Sequence, residues 1–336
     1  MNHGRADWSR RQFVGGLTLG WTAGLLGVDS GQAGAEPPPE TRKLRLPRIP
    51  GICVAPQYVA ADLLMGEGFS DVQYVKLEDD LRALASGEID IAIAFVAPAI
   101  MQVGTGEPIV LLAGVHTGCF ELFGTNQVRA IRDLKGKTVA VWYQGSFQQV
   151  FLASIAAHVG IDPRKDINWV AHASAEAMRL LGEGKIDAYL AFPPEPQELR
   201  ARKIGHVVVN SGRDRPWSQY FCCVVGGNRD FVKKHPVATK RAVRAILKAA
   251  SLCAIEPERA ARMIVDRSFT QRYDYALQTM KEISYGKWRE YDPADTIRFY
   301  ALRLHEAGMI KSIPQKIIAQ GTDWRFFNEL KKELKG

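Results

Sequence analysis

The residues best placed to hold a small molecule sit where strand-like runs give way to helical pattern. Gly145-Ser146-Phe147 ends one such run, residues 137–145, and opens a helical stretch. Backbone N–H groups at a helix start, with the Ser146 hydroxyl beside them, suit an anion or a carbonyl oxygen. A plain N-cap uses the same serine, and the two roles are compatible. After Gly51, Gln57 and Tyr58 take the equivalent place and offer an amide and an aromatic wall to a pocket, or a cap and cover for the first helix turn. Glu195 follows Pro193-Pro194 at another helix start, where the dipole already favours a carboxylate. Facing a cleft, that carboxylate selects a ligand bearing an amine or other donor over a bare oxyanion, and no Arg is obvious in these loops. Phe192 and His116 stand at strand ends, where packing and ligand contact are both open.

Covalent and metal chemistry find little support in spacing. No G-x-S-x-G, H-E-x-x-H or C-x-x-C occurs, and the seven His are scattered. No catalytic residue, metal-ligand set or cofactor is therefore expected. Cys53, Cys119, Cys222, Cys223 and Cys253 are an odd set, so at least one is unpaired within the chain.

These candidates are positioned by an internal repeat. Residues 80–95 and 177–192 align at an offset of 97, with Arg82/Arg179, Leu84/Leu181, Gly87/Gly184, Ile89/Ile186, Asp90/Asp187, Ala94/Ala191 and Phe95/Phe192 matching. Strand-like runs at 43–51 and 137–145 match at an offset of 94, and 71–75 matches 166–170 at an offset of 95. Each copy reads strand, Gly turn, helix, strand, helix, Gly, strand: a βαβαβ unit with parallel strands crossed by helices. That period is too long for a solenoid. Ligands of such sheets bind beyond the carboxyl ends of the strands, so two facing copies make a cleft.

The bulk numbers agree with this. The 336 residues are 46% hydrophobic and 24% charged, which excludes a disordered, collagenous, coiled-coil or disulfide-built chain. Such a length suggests about two domains. The first 35 residues resemble an export signal: Ser9-Arg10-Arg11-Gln12-Phe13, a Gly-rich apolar stretch at 14–28, and Ala33-Gly34-Ala35. The paired arginines point to the twin-arginine route for folded proteins, with cleavage after Ala35 and a periplasmic location expected. Net charge is +8 overall, but −6 over residues 36–126 and +9 over residues 219–336. Basic helices packed back on an acidic first lobe would offset one another. Single Lys and Arg spread over amphipathic helices, without aromatic interleaving, argue against nucleic acid as a partner.

Residues 131–141, followed by Gly145-Ser146, are similar to the periplasmic solute-binding proteins of ABC importers, in the group handling nitrate, sulfonates, taurine and thiamine-pyrimidine precursors. The Gly87-Glu88-Ile89-Asp90 and Gly184-Lys185-Ile186-Asp187 steps and Glu195-Pro196 carry the same resemblance. It implies an α/β, two-lobed type II periplasmic-binding-protein fold joined by two crossover strands, near 119–126 and 218–225. Lobe 1 would comprise 42–120 plus 222–336, and lobe 2 would comprise 121–221. It further implies a monomer that captures a small-molecule ligand and delivers it to an ABC permease in the inner membrane. Ala97 stands where relatives often place a hydroxyl residue, so one donor is missing there. Buried free thiols are the simpler expectation for the cysteines, with a Cys119 disulfide to Cys222 or Cys223 joining the crossovers as the other. The alternative function is a thiamine-pyrimidine-synthase-like enzyme on the same fold, whose Cys-rich run is matched here only by Cys222-Cys223.

Overall fold

A computed structural model describes residues 36–335, so the expected export signal lies outside the described residues. The first copy forms β1 (Lys43–Arg48), a 3-10 turn (Ile52–Val54), α1 (Ala55–Val59), α2 (Ala61–Gly66), β2 (Asp71–Lys76), α3 (Asp80–Ser86) and β3 (Ile91–Phe95). Next come α4 (Val96–Thr105), β4 (Ile109–Thr117) and β5 (Glu121–Gly124). The second copy forms β6 (Thr138–Val141), α5 (Phe147–His158), β7 (Asn168–Ala171), α6 (Ser174–Gly182) and β8 (Ala188–Ala191). It is followed by α7 (Glu195–Ala201) and β9 (His206–Asn210). The extended run expected from residue 218 starts instead as a 3-10 turn at Trp217–Gln219, and the strand proper is β10 (Phe221–Asn228). Helices α8 (Arg229–Lys234), α9 (Pro236–Ile255), α10 (Pro257–Asp266) and α11 (Tyr273–Glu282) follow, then α12 (Pro293–Glu306), α13 (Pro314–Gly321) and α14 (Arg325–Glu333). Pro236, Pro257 and Pro293 each open a helix, where the missing N–H leaves no bond unmade.

The strands assemble as β1-β2, as β3-β10-β4 and as a five-stranded sheet ordered β7-β6-β8-β5-β9. Among the described residues no ladder joins the first two groups to the third. Chain passes between them at residues 118–120 and again between β9 and β10.

The repeat is visible in its bonds as well as its order. Asp90 N–H donates to the Arg45 carbonyl (2.9 Å) while Asp90 Oδ2 accepts from Arg45 N–H (2.7 Å). Asp187 does the same with Thr138, both bonds 2.8 Å. Each aspartate thus ties the last strand of its copy to the first. Gly87 and Gly184, three residues earlier, turn the chain with φ of 77° and 67°, a left-handed conformation that Gly adopts without steric cost.

The copies differ in one respect. In the second, β6 pairs in parallel with both β7 and β8. In the first, β1 pairs with β2, while β3 pairs antiparallel with β10 instead of extending a parallel sheet. The Gln57 side chain stands between β1 and β3: its Nε2 donates to the Pro47 carbonyl (2.7 Å) and its Oε1 accepts from Ile93 N–H (2.9 Å). Pro47 lacks an N–H, and a fully buried amide carries the strand-to-strand bonding in its place.

The C-terminal helices pack back on the first copy, α9 against α1 and α2, and the opposed charges found in the sequence meet there. Arg244 Nη1 lies 2.6 Å from Glu67 Oε2, and Arg267 Nη2 lies 2.7 Å from both carboxylate oxygens of Asp62. Glu40 accepts from the N–H groups of Val237 (2.9 Å) and Ala238 (2.8 Å) at the start of α9. Among the described residues no helix is long and apolar enough to cross a membrane.

Candidate functional site

Three strands end at one cavity of about 660 Å³. Arg48, Ile49 and Pro50 leave β1, Lys76 to Asp79 leave β2, Trp142 and Tyr143 leave β6, and Phe269 closes the wall from beyond α10. The volume suits a small organic molecule. Trp142, Tyr143 and Phe269 supply apolar surface, and the lining also carries two cationic residues, Arg48 and Lys76, and two acidic ones, Glu78 and Asp79. Arg48 is held in place, since its Nη2 donates to the Ser268 carbonyl (2.6 Å) and its guanidinium lies 5.3 Å from the Phe269 ring centre. Phe269 in turn stacks on Tyr58 at 3.8 Å.

The cavity corrects one expectation. The carboxyl ends that matter include those of β1, β2 and β6, and β1 and β2 bring Arg48 and Lys76. A cationic contribution is therefore present, although the loops read first carry no obvious Arg.

None of the eight residues picked from the sequence lines this cavity. Gln57 spends both ends of its amide between β1 and β3. The Tyr58 hydroxyl donates to the Ile49 carbonyl and accepts from Ile49 N–H, both at 2.7 Å, so its ring backs the cavity wall from behind Phe269. Ala97 is buried in the first turn of α4. Ser146 is fully buried as the N-cap of α5, accepting from Gln149 N–H, and Gly145 turns at φ 86° with its N–H on Gln149 Oε1. His116 is fully buried on β4.

Phe192 belongs to an aromatic seam between the two halves. Phe95 stacks on Phe147 (4.5 Å), Phe147 meets Phe192 edge-on (5.0 Å), and Phe95 packs on Phe120 (4.9 Å). A main-chain bond from Ile52 N–H to the Pro193 carbonyl (3.0 Å) crosses beside it. Contact between the halves therefore fills the region beyond β3 and β8 and leaves the opening at β1, β2 and β6. Trp142 and Tyr143 were within reach of sequence reasoning, since they lie near the end of the strand-like run at 137–145, three and two residues before Gly145.

Glu195 is buried at the start of α7, where its Oε2 accepts from the Tyr189 hydroxyl (2.8 Å) and from Phe192 N–H (3.2 Å). Burial outweighs these donors and pushes its pKa up to about 7. The folded chain then binds a proton that the unfolded chain releases near pH 4.5. This contribution is full below that pH, declines as pH rises, and is gone above about 7. With a shift of that size worth at most about 3 kcal/mol, urea unfolding at pH 5 and pH 8 should show lower stability at pH 8. Glu195→Gln should flatten that difference. An unchanged difference in the variant counts against Glu195 as its source.

With the geometry in place, the chain can be set beside known proteins. Over 113 residues it is 30% identical to the bicarbonate-binding protein CmpA of Synechococcus elongatus, covering 33% of this chain and 24% of that one. Over 206 residues it is 22% identical to the 4-amino-5-hydroxymethyl-2-methylpyrimidine phosphate synthase of Saccharomyces cerevisiae, covering 56% and 58%. The chain thus spans less than two thirds of the length of either curated relative. The crystal structure of the periplasmic nitrate-binding protein NrtA from Synechocystis superposes with a TM-score of 0.73 at 16% identity, covering 89% of this chain and 90% of that one. Identity that low speaks to architecture, and the architecture is the periplasmic-binding-protein fold. The family model of the NMT1-like proteins matches residues 38–266, which contain both copies of the repeat and every strand that ends at the cavity, and the chain belongs to the NMT1-like family.

Proposed function

We propose that this protein is the substrate-binding component of an ABC-type importer, exported by its N-terminal signal, that captures a small organic solute and presents it to a permease as a monomer. The observation that carries this is the 660 Å³ cavity at strand ends contributed by both copies of the repeat. A site split between two halves senses its ligand through their approach, a two-state hinge motion that a membrane partner can read. Trp142, Tyr143 and Phe269 favour a solute with a flat apolar part, while Arg48 and Lys76 favour an anionic group on it and Glu78 and Asp79 a cationic one. Gly145 and Ser146 adjoin Trp142 and Tyr143 and come within reach of a solute if the seam opens.

Native mass spectrometry of freshly purified protein, followed by a thermal-shift panel of aromatic carboxylates, sulfonates and amines, tests the assignment. A ligand at a hundred times its Kd should stabilise the fold by about 2.7 kcal/mol. Trp142→Ala should weaken that response tenfold or more, at about 1.4 kcal/mol per decade. Stabilisation by no class, or equal stabilisation of the variant, would overturn the cavity as the site. The synthase relative supports a second reading, an enzyme on the same fold; a co-purified compound recovered chemically changed would favour it.

A further inference from the structure

Four of the five cysteines converge on one buried point, although they come from three separate stretches of chain. Cys53 lies in the 3-10 turn after β1, Cys119 in the link between β4 and β5, and Cys222 and Cys223 in β10. The sulfurs of Cys53, Cys119 and Cys223 all lie within 4.8 Å of one another, and Cys119 Sγ is 2.9 Å from Cys222 Sγ. Neighbouring strand residues normally point to opposite faces. Here the β10–β4 register shifts on either side of Cys223, an irregularity of the kind that re-aims a side chain, and both thiols reach Cys119.

A histidine stands on the facing strand. His116 pairs with Cys223 across the ladder, and its Nδ1 lies 3.2 Å from the Thr117 carbonyl. With Nδ1–H donating there, Nε2 carries the lone pair, and Nε2 is buried without a hydrogen-bond partner. A backbone carbonyl fixing one imidazole nitrogen while the other stays free is the arrangement of a metal-bound histidine.

We propose that Cys53, Cys119 and Cys223, completed by His116 or Cys222, form a binding site for a thiophilic d10 cation, Zn²⁺ or Cu⁺. Sulfur donors with one imidazole, and no carboxylate among them, select such ions over Mg²⁺ or Ca²⁺. Tetrahedral thiolates at a zinc–sulfur distance of about 2.3 Å stand about 3.8 Å apart, a spacing that small side-chain rotations supply here. Each ligating thiol gives its proton to solvent as its bond to the metal forms. The ion would tie the first copy's strand-end turn to the β4–β5 connection and to β10. An export route for folded chains, as expected of Arg10-Arg11, would let the site load before the thiols meet an oxidising compartment. The solute cavity is separate, and neither proposal depends on the other.

The test uses the full chain, fully reduced and handled without oxygen. Titration with Co²⁺ as a spectroscopic stand-in should give sulfur-to-cobalt charge-transfer absorption that saturates at one equivalent and is displaced by Zn²⁺; Cu⁺ is scored by competition against a colorimetric chelator. Zn²⁺ or Cu⁺ should raise the thermal midpoint of the wild-type chain, and Mg²⁺ should not. Cys53→Ser and Cys223→Ser should weaken binding by at least tenfold to a hundredfold, while Cys253→Ala, a buried thiol outside the cluster, should retain it. If the serine variants do not fold, the wild-type spectrum and midpoint decide. The proposal is overturned by wild-type protein that shows no charge-transfer band and no midpoint shift, or by folded serine variants that bind as tightly as wild type.

Discussion

Replacing Arg244 by Met should lower the stability by about 3–5 kcal/mol, read as a fall in the urea midpoint at unchanged slope. Arg244 and Glu67 are only 7% and 8% exposed, and their Nη1 and Oε2 lie 2.6 Å apart. Removing the guanidinium strands a buried carboxylate, with Lys248 Nζ at 3.4 Å its nearest remaining cation. The cost comes from that stranded charge more than from the lost attraction. The double variant Arg244→Met/Glu67→Leu should therefore recover most of the loss, because it leaves no buried charge unpaired: Glu333 and Lys248, which also lose a partner, are 40% and 43% exposed. A double variant as unstable as the sum of its singles would show that the pair is not coupled. The contact also explains the lopsided charge of the chain: basic α9 lies on the acidic first copy.

The second large effect is expected at Gly118, between β4 and β5. Its φ of +42° is left-handed, and an added Cβ would stand 2.1 Å from Gly212 Cα and 2.2 Å from Gly212 N. Backbone is met, so no side chain can swing aside. The two connections are tied there by Ser211 N–H to the Phe120 carbonyl and Phe120 N–H to Ser211 Oγ, both 2.9 Å. Gly118→Ala should cost about 1–2 kcal/mol for the backbone conformation and about 1–3 for the overlap. Gly136→Ala isolates the first part, since Gly136 has φ +74° with nothing within 4 Å of the added carbon. It should cost about 1–2 kcal/mol. Equal losses in the two variants would show that the close approach carries no weight. A larger loss at Gly118 would locate in it the joint about which the halves are held.

The order of elements could be read from periodicity and from the repeat because both are written in near neighbours. Gly87 and Gly184 mark left-handed turns, Asp90 and Asp187 clamp their copies alike, and Pro236, Pro257 and Pro293 open helices where expected. The candidate site was less legible. Gln57 and Ser146 were singled out at sound positions, but a polar side chain at a helix start can face a ligand or satisfy its own backbone. Local sequence does not say which donor competes for it. In Gln57 the competitor is Ile93 N–H, thirty-six residues away. Of the sulfur cluster, only the approach of Cys119 to Cys222 or Cys223 was foreseen, through the resemblance; residues 53, 119, 222 and 223 have no ligand spacing along the chain, and the fold brings them together.

What the sequence determined alone is the doubled βαβαβ order of elements, its turns and caps, and the side of each half at which the carboxyl ends of its strands lie. These follow from backbone conformation and hydrophobic pattern, which act over a few residues. Only tertiary structure decided which strand ends stay open. Phe95 from one half and Phe147 and Phe192 from the other are large and apolar, so they exclude water from the seam and close it. Arg48, Lys76, Trp142 and Tyr143 are left around the space that this packing does not fill. Such a choice depends on which surfaces compete for burial across the halves, and that competition exists only once the chain has folded.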